Sequence, residues 1–140
     1  MPRFPLHPAS GTGIYSDLEK KVIRLARYGC ANRPFYHIVV TTPQSVKGDP
    51  PIEQVGTYDP MVNQYNEKLV TFNFERIQFW LGQGNVDISK SIKELLGIAG
   101  FFPMHPYTIM TAWSSRKKAE DEAKAKEEAE KNLEKAEQSN

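Results

Sequence analysis

Residues 20–36 carry the cations Lys20, Lys21, Arg24, Arg27 and Arg33 with no acid among them, and Tyr28, Phe35 and Tyr36 are interleaved. Guanidinium forks pair bidentately with phosphate oxygens and flat rings stack on unpaired bases, so the pattern suits a polyanion. RNA fits better than duplex DNA, for which an inserted helix would be expected. The candidate contact residues are Lys21, Arg24, Arg27, Tyr28, Asn32, Arg33 and Tyr36, with Lys47 in a later loop. Arg24, Arg27 and Arg33 are the expected phosphate contacts, whereas Tyr28 and Tyr36 could equally pack within a sheet or core. On composition alone, a solvated strand face explains the same residues as well as a polyanion site does, since Ile23 and Leu25 alternate with Val22, Arg24 and Ala26 as in any half-buried strand.

Other chemistry finds little support. His7, His37 and His105 are scattered without zinc-ligand spacing. Cys30 and His37 could form a thiol and base only if a strand pair held them within about 3 Å, and no third orienting group is evident. Glu75, Asp87 and Glu94 show no pairing for general acid or base work. Gly82-Gln83-Gly84 ends a helix instead of opening one, so it does not read as a phosphate loop. No enzymatic activity is expected.

A chain of 140 residues with 39% hydrophobic composition fits one small domain with tails, and the single cysteine excludes an internal disulfide framework. The net charge of +1 conceals an uneven layout, because acids crowd the C-terminal region and are missing from residues 20–36. No apolar run approaches the roughly 20 residues needed to cross a bilayer. The first sixteen positions lack acids, as import presequences do, but Pro2, Pro5 and Pro8 oppose an amphipathic helix, so they assign no organelle.

The elements that must position the cationic stretch follow from periodicity. Residues 21–28 and 35–42 read as strands joined by a turn at Asn32, Arg33 and Pro34, and residues 43–51 (PQSVKGDPP) read as a loop. Residues 52–58 and 68–72 are the third and fourth strands. Asn73 caps a helix over 74–82 with Ile77, Trp80 and Leu81 on its apolar face, and Trp80 is expected in the core. Ser89 is a second cap candidate before Ile92, Leu95 and Leu96, with Gly97 and Gly100 as terminators. The expected fold is α+β: a small mixed sheet of about four strands covered by two short helices. The expected boundaries are a flexible arm over 1–20, the domain over 21–97, an aromatic docking extension over 98–115, and a charged solvated helix over 116–140. Residues 4–8 (FPLHP) echo 102–106 (FPMHP), a match short enough to be coincidence.

The motif R-L-A-R-x-G at 24–29, followed by R-P-F-Y-x-I-V-V at 33–40, resembles the opening of the S-sixteen family of small-subunit ribosomal proteins. The likeness continues in order through residues 52–60 (IEQVGTYDP), 69–84 (LVTFNFERIQFWLGQG) and 89–96 (SKSIKELL). G-F-F-P-x-H-P at 100–106 resembles the animal mitochondrial members. The resemblance implies a mitochondrial ribosomal protein that binds small-subunit ribosomal RNA and contacts neighbouring subunit proteins, with no membrane association and no homo-oligomer. It further implies that Cys30 is one ligand of a 2Fe–2S cluster shared with a neighbouring protein; the bland alternative is a small turn residue. In the bacterial members the loop matching 43–51 is richer in arginine, whereas Lys47 is its sole cation here. A free RNA-binding assembly factor, or a nuclease or thiol hydrolase, are the competing functions.

Overall fold

The computed structural model describes residues 19–138. His7, the 4–8 echo and nearly all of the expected arm lie outside the described residues. The elements are β1 (Lys21–Cys30), β2 (Arg33–Thr41), β3 (Glu53–Tyr58), β4 (Val70–Phe72), α1 (Phe74–Gly82), β5 (Val86–Ile88), α2 (Lys90–Ile98) and α3 (Pro106–Gln138). They fall into two compact units, Met1–Leu95 and Leu96–Asn140.

The first unit is built on a five-stranded sheet in the order β4-β3-β2-β1-β5. Its pairs are antiparallel except that β5 runs parallel to β1. The α+β expectation holds, with β5 as a strand beyond the four anticipated. At three residues it is too short to show a period, and its flanks hold it in place: Lys21 N donates to Asn85 O at 2.9 Å and Ser89 N to Ile23 O at 3.0 Å. The Ile88 amide donates to Asp87 Oδ1 at 2.8 Å and Lys20 Nζ lies 3.6 Å from Oδ2. That amide bond and then the ammonium charge hold the Asp87 carboxyl below its usual range.

The β1–β2 hairpin is longer than expected. The turn shrinks to Ala31 and Asn32, while Arg33 and Pro34, expected in the turn, pair with Cys30 and Gly29. Asn32 sits at φ 60°, a left-handed conformation that asparagine tolerates. Gly29 has φ 99°, and a Cβ there would strike the Arg33 carbonyl oxygen. Beyond Tyr36 the β2 strand has no β3 partner, so Pro34 occupies a sheet edge, where its missing N–H is tolerated.

Register partners share a face of the sheet. Ile23, Leu25, Ile38 and Val40 point to one side together with Lys21 and Glu53. The register shift between Ile38 and Val39 skips Val55, which is buried. Helix α1 lies on this side. Asn73 caps it, accepting from Arg76 N at 3.3 Å, and Ile77 and Trp80 are buried as expected, with Leu81 half-buried. Glu53 of β3 receives Arg76 Nε and Nη2 at 2.6 Å each and the Trp80 indole N–H at 2.9 Å. One carboxylate thus ties two helix side chains to the sheet, with short charge-assisted bonds.

Ser89 stands at the N-cap position of α2, but its buried hydroxyl has no hydrogen-bond partner among the described residues and makes no capping bond. Ile92 is fully buried. α2 runs through Gly97 and ends at Ile98, and Gly100 just beyond it has φ 86°. Phe101 N donates to Leu96 O and Gly100 N to Gly97 O, the paired bonds of a Schellman motif. α3 is continuous over 33 residues, so the expected division between an aromatic extension and a charged helix at 115/116 has no counterpart in the backbone. Ile98, Met104, Tyr107, Met110 and Trp113 are exposed. Along α3, Lys118 Nζ lies 3.9 Å from Glu122 Oε1 in an i, i+4 pair.

Trp80→Ala should cost about 3 to 5 kcal/mol, the range for a buried aromatic. Glu53→Ala should cost about 1.5 to 3 kcal/mol by removing the acceptor of a charged pair and an indole N–H. Thermal or denaturant unfolding measures both, and an unchanged midpoint for Trp80→Ala would contradict the packing described.

Candidate nucleic-acid interface

The β1–β2 ladder outruns its neighbours. β5 pairs only as far as Ile23 and β3 only as far as Tyr36, so the pairs Tyr28↔Phe35, Gly29↔Pro34 and Cys30↔Arg33 form a two-stranded ribbon beyond the sheet. Arg27, Tyr28, Cys30, Asn32 and Arg33 are all exposed along it. The strand periodicity that makes the hairpin also distributes its cations over both sides. Arg27 shares a side with Tyr36, while Arg24, Tyr28 and Arg33 share the other. A ribbon charged on both sides can lie between two phosphate backbones, which a single flat face cannot do.

Lys21 leaves the candidate set. It is 1% exposed, with Nζ 3.3 Å from the Glu19 carbonyl oxygen and 5.9 Å from the centre of the Trp80 ring. An ammonium over an indole face is a stabilising cation–π arrangement, and it places the charge inside the fold. Tyr36 is half-buried and stacks on Tyr58, with centroids 6.1 Å apart, so sheet packing occupies part of its ring.

Arg24 is directed at the loop between β2 and β3. Its Nη2 donates to Ser45 O at 2.7 Å and to Ser45 Oγ at 2.9 Å, and Thr41 Oγ1 donates to the same hydroxyl at 2.8 Å. Lys47 is exposed in this loop. The sequence showed a loop here but not its return over the strand face, because that depends on contacts between residues 21 positions apart. Tyr28 stacks on His37 with centroids 4.2 Å apart, and Phe35 meets the same imidazole edge-on. Among the described residues, Arg24, Arg27, Arg33 and Lys47 form no ion pair.

Cys30 and His37 do not form a thiol and base pair. Cys30 is opposite Arg33 and His37 is opposite Ala26, so four strand steps, about 13 Å, separate thiol and imidazole positions along the ladder. Tyr28 lies between them on the same side. The described residues contain no group of three or more His, Cys, Asp or Glu able to hold a metal ion. Cys30 is a free, exposed thiol at the end of β1. It is therefore accessible as a single ligand, but any centre it joined would need its other ligands from beyond the described residues.

A sequence model of the family Ribosomal protein S16 matches residues 27–86, a span that begins at Arg27 and includes the ribbon, the loop and α1. The small ribosomal subunit protein bS16m of Drosophila melanogaster is 51% identical over 125 residues, covering 89% of this chain and 96% of the fly protein. The Caenorhabditis elegans protein of the same name is 47% identical over 98 residues, 67% of this chain and 66% of its own. Among bacterial relatives, the small ribosomal subunit protein bS16 of Acidiphilium cryptum is 37% identical over 102 residues, 72% of this chain and 89% of the relative. With a relative this similar matched over nearly its whole length, and the shared region spanning the ribbon and its supporting sheet, the chain belongs to the ribosomal protein S16 family.

Proposed function

We propose that this protein is a structural constituent of the mitochondrial small ribosomal subunit, where it holds ribosomal RNA and supports subunit assembly and translation. The observation that carries the reading is the 51% identity to the fly bS16m over 96% of that protein. The fly and worm relatives carry the mitochondrial form of the family name, which supports that organelle's ribosome as the site of action. Among the described residues no helix is long and apolar enough to cross a membrane. No catalytic step is assigned.

The mechanism is electrostatic. Arg27 and Arg33, exposed on opposite sides of the ribbon, neutralise phosphates that would otherwise repel each other, and Arg24 and Lys47 extend the cationic surface onto the loop. Asn32 at the tip offers an amide for hydrogen bonding to base edges or phosphates. The exposed Tyr107, Met110 and Trp113 of α3 are apolar enough to dock on a neighbouring subunit protein. Cys30 at the ribbon's end supplies one thiolate to a 2Fe–2S cluster shared with such a neighbour. Bound there, the cluster would act as a cross-link between the chains.

In RNA binding, Arg27→Ala with Arg33→Ala should lower the slope of log affinity against log salt by roughly 1.5, because two phosphates are no longer neutralised, with the fold retained. An unchanged slope would remove both residues from the interface. In sedimentation of mitochondrial extracts, the protein should stay with the small subunit through a high-salt gradient, and Met110→Ser with Trp113→Ser should weaken that retention. Release of the unaltered protein at high salt would favour a transient assembly factor. Iron and sulfide bound to purified subunits should fall in Cys30→Ala, whereas the isolated protein should hold neither; iron unchanged by the substitution would leave Cys30 as a turn residue.

A further inference from the structure

We propose that the cleft between β1 and the loop over residues 42–51 receives a single unstacked nucleotide of an RNA strand, an inference that rests on the RNA-binding reading above. The loop residues Ser45 to Asp49 stand over Arg24, Ala26 and Tyr28 and enclose about 430 Å³. That volume is at the lower end of the roughly 300 to 1,000 Å³ of small-molecule pockets, enough for a base with its sugar and phosphate and too small for a paired helix. The cleft is preformed. Ser45 is fastened to Arg24 and Thr41 by bonds of 2.7 to 2.9 Å, and within the loop Val46 N donates to Asp49 Oδ2 at 2.8 Å. A cleft held open in this way orders less on binding and so sacrifices less affinity to that ordering.

Its lining divides by chemistry. Ala26, Val39 and Pro51 give an apolar floor against which a base can rest. Tyr28 also lines the cleft, and its stack on His37 fixes the plane of the ring that an incoming base would meet. Arg24 and Lys47 border this floor, and neither is in an ion pair among the described residues. The Arg24 bonds to Ser45 all run through Nη2, which leaves Nε and Nη1 as donors for a phosphate. The acid in the lining, Asp49, is engaged by the loop's own amide. A flat apolar floor, a fixed ring and a cationic rim together match a nucleotide, where a phosphate alone would need no floor. A free mononucleotide shares this chemistry; Tyr28 lines the cleft and shares a side of the ribbon with Arg33, and that continuity favours a nucleotide within a strand.

The test uses the full chain with hexauridylate and hexaadenylate, a short blunt RNA duplex, and free UMP and AMP. The single strands should bind more tightly than the duplex and far more tightly than the mononucleotides. Ala26→Leu, which raises the floor, should abolish the single-strand preference, a loss of about tenfold corresponding to one stacked base. If that variant melts early, Lys47→Gln at an exposed position should still weaken the hexamers more than the duplex. Equal wild-type affinity for single strand and duplex, or an Ala26→Leu protein that keeps the preference, would overturn the cleft assignment while binding that depends on Arg27 and Arg33 left the RNA reading standing. UMP or AMP binding as tightly as the hexamers would assign the cleft to free nucleotides and overturn it too. Failure of every RNA to bind would remove the RNA reading itself, and the cleft with it.

Discussion

A slip of one residue in the β1–β2 ladder would turn Ile23 and Leu25 to solvent and bring Arg24 and Tyr28 against α1. Side chains alternate strictly along a strand, so the register that buries Ile23 against Val40 also decides where every cation of the hairpin points. Ile23, Ile38 and Val40 are fully buried and hold that register from one side. The clamp of Glu53 on Arg76 and Trp80 then fixes α1 over them. The distal ribbon contributes little to this core. Its exposure is what leaves Arg27 and Arg33 available, so the core and the proposed recognition surface occupy opposite ends of one hairpin.

That division separates what the sequence revealed from what it concealed. The α1 helix was legible because an Asn cap and an apolar 3.6-residue period agree there, and Trp80 fell on its buried side as the period required. The sequence pattern places Pro34 in the turn, yet the residue pairs with Gly29 in the ladder; on an edge with no third strand its missing N–H interrupts nothing. β5 has three residues and is defined by its neighbour β1, so no local pattern could announce it. The change in composition near residue 115 looked like a boundary, yet alanine, glutamate and lysine continue a helix as readily as the aromatic segment begins one.

The candidate site was legible as a set of residue types and less so as a geometry. Lys21 shares strand parity with Ile23 and Leu25, a signal that could have placed it inside, but its charge argued for the surface. The split of Arg24 from Arg27 follows from the same parity. The return of the 42–51 loop onto Arg24 was not recoverable, because serine, proline and glycine announce a loop without saying where it packs. For the family, the resemblance in motif order was informative where composition was indifferent, and the match over residues 27–86 begins at the ribbon's first arginine.

We propose that the projecting ribbon, and not the charged helix α3, grips RNA in the assembled subunit. Ultraviolet cross-linking of intact mitochondrial small subunits, followed by mass spectrometric mapping of RNA-bearing peptides from this protein, tests it directly. Cross-links concentrated between Arg24 and Tyr36, with further ones near Lys47, are the predicted result. Cross-links confined to α3, or none from the ribbon while neighbouring ribosomal proteins are labelled, would contradict it.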